Sequence, residues 1–265
     1  GGRIMAQVSS ITELCHSGAI FSCAVDGVIV KVRKAMNVPD QADADVEAEF
    51  RALRADFEPL RPEFDELFAR LLRQQIGAAR LSQLLAQLGG EVEQRFLRAV
   101  GSIDAEFEQL LESLSQKLTI VAQQALAARR LDVRAPGPRE TTTKEDPAAL
   151  TLARWTGADS AFGRIVELVI RRIVADLGQN PEEPAASKTP EALFVRVTLS
   201  RRYPAFAAFY TRRFVKRLGE EHVSAVLEAL RSEPLRRYLR ARGAMKPALA
   251  AGLQELTGRI VQIVV

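Results

Sequence analysis

Residues 64–76 read FDELFARLLRQQI and residues 206–218 read FAAFYTRRFVKRL. In the first, Phe64, Leu67, Phe68, Leu71 and Leu72 stand at the i, i+3, i+4, i+7, i+8 positions of one helical face; Phe206, Phe209, Tyr210 and Phe214 repeat the pattern in the second. The correspondence extends outward. Residues 64–122 align with 206–264 at a constant spacing of 142 without a gap, and fifteen identities fall between Pro62/Pro204 and Leu114/Leu256. Leu97-Arg98-Ala99 matches Leu239-Arg240-Ala241, and Gly101 matches Gly243. Upstream the spacing slips to 141, where Phe21, Val25, Val28 and Ile29 match Phe162, Val166, Val169 and Ile170. A self-similarity of this length reads as a tandem duplication of one helical domain.

The expected fold class is therefore all-α, two homologous helical bundles. Leu81, Leu84, Leu85 and Leu88 correspond to Val223, Val226, Leu227 and Leu230 on the next element. Phe107, Leu110, Leu111, Leu114, Leu118 and Val121 correspond to a second long run that carries Leu249, Leu253, Leu256, Ile260 and Ile263. Ser232 suits an N-cap with Pro234 in the first turn, Gly101 and Gly243 suit helix stops, and Pro247 suits the opening of a last helix. The spacing predicts helices near 17–37, 45–57, 61–76, 79–88, 91–101 and 104–130, then near 159–178, 190–201, 204–218, 220–231, 233–242 and 247–264.

The domain reading that follows is an N-terminal arm at 1–16, repeat 1 at 17–130, a linker at 131–148 and repeat 2 at 149–265. Gly1-Gly2-Arg3 ahead of Met5 reads as a vector remnant within the arm. Pro136, Gly137, Pro138 and three consecutive threonines give Leu131 to Pro147 the composition of a connector, which limited proteolysis is expected to cut first. With 265 residues, 47% of them apolar, the chain is long enough for two ordinary domains.

The formal charge of +4 is unevenly spread. Residues 1–130 hold 15 Lys and Arg against 18 Asp and Glu, whereas residues 131–265 hold 22 against 15, so the first part is net −3 and the second net +7. Such asymmetry fits docking between the repeats, a polyanionic partner for the second, or solvated faces that drifted apart.

Chemistry-bearing patterns are scarce. Cys15 and Cys23 have no metal-ligand spacing, and on one helix they would lie about 12 Å apart along the axis, too far for a disulfide unless the chain breaks near Gly18. They read as small buried side chains. His16 precedes the first helix, and His222 follows Glu220 and Glu221 at a helix start; both read as surface or capping residues. There is no glycine-flanked nucleophile and no glycine-rich phosphate loop, so catalysis is a minority reading and no cofactor is expected. No run of 18 apolar residues occurs, and the N-terminus lacks the pattern of a signal peptide.

One motif recurs. Glu91-x3-Arg95-x2-Arg98 is matched by Glu233-x3-Arg237-x2-Arg240, which puts a glutamate and two arginines on one stripe in each copy. The ordinary reading is an i, i+4 surface ion pair; the functional one is a fork for phosphate or carboxylate. A wider basic cluster follows in the second copy: Arg201, Arg202, Arg212, Arg213, Lys216, Arg217 and Arg231, then Arg236, Arg237, Arg240 and Arg242. The aromatics interleaved with it fall on the apolar stripe and read as core. The candidate contacts to an anion or partner are Arg95, Arg98, Arg236, Arg237, Arg240 and Arg242. Trp155, beside the linker, either pins it to the second copy or lines a groove between the repeats.

The run Val226-Leu227-Glu228-Ala229-Leu230-Arg231-Ser232-Glu233-Pro234, followed by Tyr238-Leu239 and a long amphipathic helix, resembles the bacterial domain of unknown function 2059. The first copy resembles it more faintly, with Gly89-Gly90 in place of Arg231-Ser232. The resemblance implies a small helical domain of the Gram-negative periplasm and brings no activity; without a signal-peptide pattern, cytoplasmic residence stays open. The reading is then a non-catalytic binding or assembly module of the bacterial envelope that takes a protein or apolar ligand in the inter-repeat groove. Its alternatives are an anionic-surface or nucleic-acid binder using the basic second repeat and, third, an enzyme of unrecognised class.

Overall fold

The computed structural model describes residues 10–38, 43–130 and 147–264. Most of the expected linker, at 131–146, and residues 1–9 of the N-terminal arm lie outside the described residues. Among the described residues the chain is all-α, with eleven helices and no strand. They are α1 (Ser17–Ala35), α2 (Ala44–Phe57), α3 (Arg61–Ile76), α4 (Ala78–Leu88), α5 (Glu91–Arg130), α6 (Pro147–Thr156), α7 (Ala158–Asp176), α8 (Pro190–Ser200), α9 (Tyr203–Leu218), α10 (Val223–Ala229) and α11 (Glu233–Val264). Residues 10–14 are also helical, and short 3-10 turns precede α3, α8 and α10.

The expected breaks in the two long helices are absent. Gly101 lies inside α5 and Gly243 inside α11, and both helices run on. A glycine in a helix interior costs only about 1 kcal/mol relative to alanine, which the packing of the flanking turns outweighs. Pro247, expected to open a helix, also sits inside α11. Its missing N–H orphans the Gly243 carbonyl, but both residues are exposed, so water can take the freed acceptor.

The spacing of 141 to 142 reappears in the backbone. Six described residues have positive φ: His16 (52°), Asn37 (53°), Gly77 (84°), Gly157 (101°), Gly178 (75°) and Gly219 (92°). They fall into three pairs at the repeat spacing, 16/157, 37/178 and 77/219. Gly77 and Gly219 match in ψ as well, at 138° and 129°. Both follow a helix that begins and ends at corresponding positions, α3 and α9.

The chain forms two compact units, and their boundaries differ from those of the two expected domains. One comprises the described residues up to Ala105 together with those from Leu218 onward; the other comprises Glu106–Arg217. Helix α5 thus contributes its first part to the first unit and its second part to the other.

In the first unit α1 packs on α2 and α3, and α11 lies along α3 and α4. Phe21, Phe64, Phe68, Leu72, Leu81, Leu88, Phe96, Val226 and Tyr238 are buried there, each worth about 1.5–3 kcal/mol of apolar transfer for side chains of this kind. Phe21 and Phe64 meet at 5.3 Å. Helix α11 approaches α3 closely because Gly252 has no side chain: a Leu67 methyl occupies the space where a Cβ would stand.

In the second unit the later part of α5 takes the corresponding place against α9. Phe107 on α5 packs on Phe206, Phe209 and Tyr210, with ring centroids 5.6, 5.9 and 4.6 Å away. Helix α7 packs on α6 and α8, and Phe162 joins the aromatic cluster 5.1 Å from Phe206. Two buried hydroxyls tie α9 to α6: Tyr210 donates to the Thr156 carbonyl at 3.0 Å and Thr211 to the Ala149 carbonyl at 3.1 Å. Thr189 caps α8, accepting from the Ala192 N–H at 3.3 Å with Pro190 in the first turn.

Candidate anionic-partner interface

The stretch 201–217, RRYPAFAAFYTRRFVKR, carries six cations and no acid. Folding it into α9 sorts those cations by helical angle. On the flank nearest the core, Arg213 and Arg217 both reach Glu106 of α5, Arg217 at 3.1 Å, and the Arg213 guanidinium also lies 4.7 Å from the Phe209 ring centroid. On the outer side Arg212 and Lys216 are exposed four residues apart, with Ala205 and Ala208 along the same face; Arg201 and Arg202 are exposed in the turn before the helix. No described acid pairs with any of these four. Lys216 also stands in the last turn of α9, where a cation complements the carbonyl end of the helix.

Three further arginines from the second half of the chain pair with α5. In the second unit Arg164 bonds Glu108, and Arg172 bonds Glu112 at 2.7 Å and Ser115 at 2.9 Å. In the first, Arg242 donates to Asp104 at 2.6 Å. In every case an arginine from beyond residue 147 meets a carboxylate of α5. The sequence reading did not single out Asp104, Glu106, Glu108 and Glu112, although their concentration on one acidic helix facing a basic second half was the available signal.

The candidate arginines of the recurring motif behave mainly as intrahelical partners. Arg95 pairs with Glu91 at 2.9 Å and also contacts His222, which lies 3.2 Å from Glu221. Arg98 is exposed, its Nε 3.3 Å from the Gln94 carbonyl. Arg236, Arg237 and Arg240 converge on Glu233 at 3.4, 3.7 and 2.9 Å. Arg242, with its side chain 11% exposed, belongs to the interior of the first unit. Trp155 is half-buried on α6 in the second unit.

Near Arg242 lies a buried polar group. Tyr238 donates to the Cys15 carbonyl at 3.3 Å. Burial pushes the Cys15 thiol up to about 12, against the smaller opposing effects of the Tyr238 hydroxyl and Arg242, which makes it a poor nucleophile. Burial also lowers the pKa of His16, with the charges of Arg98 and Arg242 adding to the effect and the Gln94 side chain opposing it. Cys23 is half-buried and the two cysteines form no disulfide. The turn at His16, rather than one continuous helix, separates them.

The described surface includes two shallow hollows. One of about 420 Å³ in the first unit is lined by Leu88, Gly90, Glu93, Ser232, Pro234 and Leu235, where α5 and α11 begin. The other, about 170 Å³ in the second unit, is lined by Glu167, Arg171, Glu182 and neighbours, with Arg171 and Glu182 paired at 3.2 Å. Among the described residues no group of three His, Cys, Asp or Glu is placed to hold a metal ion, and no helix is long and apolar enough to cross a membrane. No family model, curated protein or solved structure matches this chain.

Proposed function

We propose that this chain is a non-catalytic helical binding module whose partner is an anionic lipid surface, met by the outer face of α9. The observation that carries the reading is the division of one basic stretch. Arg213 and Arg217 share the Glu106 carboxylate, whereas Arg201, Arg202, Arg212 and Lys216 are exposed with no described acid to pair with. Phe206, Tyr210 and Phe214 are buried and Tyr203 and Phe209 half-buried, so the face carrying Ala205, Ala208, Arg212 and Lys216 offers charge and small side chains rather than a platform for base stacking. The resemblance to the domain of unknown function 2059 favours the bacterial envelope as the setting. An apolar ligand draws no support from the two hollows, whose linings carry charged or polar groups.

Cosedimentation with vesicles tests this. Binding to phosphatidylglycerol vesicles should exceed binding to phosphatidylcholine vesicles and weaken with salt. A cation near a charged surface is worth about 1 kcal/mol, so Arg212→Gln with Lys216→Gln should lower the affinity roughly 30-fold while the melting temperature holds. Equal binding to both vesicle types would refute the proposal. Preferential, salt-sensitive binding to duplex DNA would move it to nucleic acid.

A further inference from the structure

Helices α2 and α8 hold matching places, and an ion pair fixes their register. Arg54 of α2 reaches Asp26 of α1, and Arg196 of α8 reaches Glu167 of α7 at 2.7 Å, with the partners related at spacings of 142 and 141. In that register Leu193, Phe194 and Val197 stand where α2 has Arg51, Ala52 and Ala55, all three exposed. The fold therefore does not require apolar side chains at these positions. Yet Leu193 and Val197 leave 51% and 56% of their surface to water, with Phe194 half-buried beside them. Scattered exposed apolar residues are ordinary, but these stand at i, i+1 and i+4 of one helix and form a patch.

Arginines rim that patch. The Arg129 guanidinium lies 4.8 Å from the Phe194 ring centroid, and Arg201 follows Val197 by one turn at the αR residue that ends α8. Both are exposed, and among the described residues neither has an acid partner. The single carboxylate of α8, Glu191, is half-buried in the first turn. A soluble anion would engage the arginines and leave Leu193 and Val197 in water. An anionic bilayer uses both, since its phosphates meet guanidinium groups while its acyl boundary takes up apolar side chains.

We propose that Leu193, Phe194 and Val197 insert into the headgroup–acyl boundary of an anionic bilayer, with Arg129 and Arg201 on the lipid phosphates around them. This rests on the lipid-surface reading and deepens it: the contact has an apolar component as well as the charge of α9.

The test uses the full chain and phosphatidylglycerol vesicles. Leu193→Gln with Val197→Gln should lower the affinity roughly tenfold, because two half-exposed aliphatic side chains no longer leave water, while helicity and melting temperature hold. At about 1 M salt, where the Debye length is roughly 3 Å, the parent should keep a residual binding that this double variant lacks. Trp155→Phe combined with Val197→Trp leaves one tryptophan, at 197, whose emission should shift to the blue on these vesicles and be quenched by brominated acyl chains. If the parent prefers phosphatidylglycerol but the double variant binds as well and the tryptophan at 197 is not quenched, insertion is overturned and the lipid-surface reading stands. A parent with no preference for phosphatidylglycerol over phosphatidylcholine overturns both. A lipid-free dimer on a sizing column that Leu193→Gln with Val197→Gln separates would overturn insertion and assign the patch to a second copy of the chain.

Discussion

Asp104 accepts a hydrogen bond from Arg242 at 2.6 Å, although the two residues are 138 positions apart. The arginine side chain is 11% exposed and the carboxylate 28%, so water screens this pair less than the ion pairs on the outer faces. Removing one partner leaves the other's charge desolvated. Asp104→Ala should destabilise the protein by roughly 2–3 kcal/mol in denaturant unfolding, and Asp104→Ala with Arg242→Ala should cost less than the sum of the two single changes. Additive single effects would show that the two side chains are not coupled.

That pair marks where sequence reasoning reached and where it stopped. The helices around Phe64 and Phe206 were legible because a buried face imposes a 3.6-residue period on neighbouring positions, which is local information. The continuity of α5 through Gly101 was not legible. The glycine's penalty is small, and the packing that overrides it comes from residues remote in sequence, such as Ala19, whose Cβ lies 3.5 Å from where a Gly101 side chain would start. The packing of α11 on α3, and of Phe107 of α5 on α9, was hidden for a different reason: both long helices share one apolar spacing, so either could cover either surface on that criterion. The division of the basic cluster into paired and exposed residues was likewise closed to a reading without partners, since Glu106 is 107 and 111 positions from Arg213 and Arg217.

Because Gly101 and Gly243 lie inside helices and neither has positive φ, their flexibility serves nothing in this fold. A Cβ at Gly101 would make ordinary contact with Ala19, and one at Gly243 would meet open space. Gly101→Ala and Gly243→Ala should each stabilise the protein by about 0.5–1 kcal/mol, and thermal unfolding should shift upward by a few degrees. A fall in melting temperature in either variant would mean that a break at that glycine is populated and needed.

His16 gives the protein an acid limb. Burial lowers its pKa below the usual 6.5 of the unfolded chain, so the unfolded state takes up a proton that the native state resists. Stability from this residue is complete above about pH 6.5 and is lost as pH falls from there toward the lowered native value. Glu47, whose pKa is lowered mainly by its hydrogen bonds with Arg33, contributes stability that is lost only further down, below the ordinary glutamate value of 4.5. His16→Asn keeps a residue that tolerates positive φ and removes the titration. Melting curves between pH 7 and pH 5 should therefore be flatter in that variant than in the parent; an unchanged slope would assign the acid limb to other groups.

The matched backbone at Gly77 and Gly219 yields the sharpest comparison between the repeats. Both residues adopt φ near 90° with ψ near 130–140°, a region that side chains with a Cβ enter only under strain. Around Gly77 there is open space, so Gly77→Ala isolates the backbone term and should cost about 1–3 kcal/mol. At Gly219 a Cβ would also press on the Glu221 carboxylate, an exposed side chain that can swing away, so Gly219→Ala should cost a similar amount or slightly more. Equal losses in chemical denaturation would show that the two turns are mechanically equivalent. If Gly77→Ala were neutral while Gly219→Ala unfolded the protein, the shared dihedral angles would not reflect a shared constraint, and the correspondence of the two helical turns would rest on sequence alone.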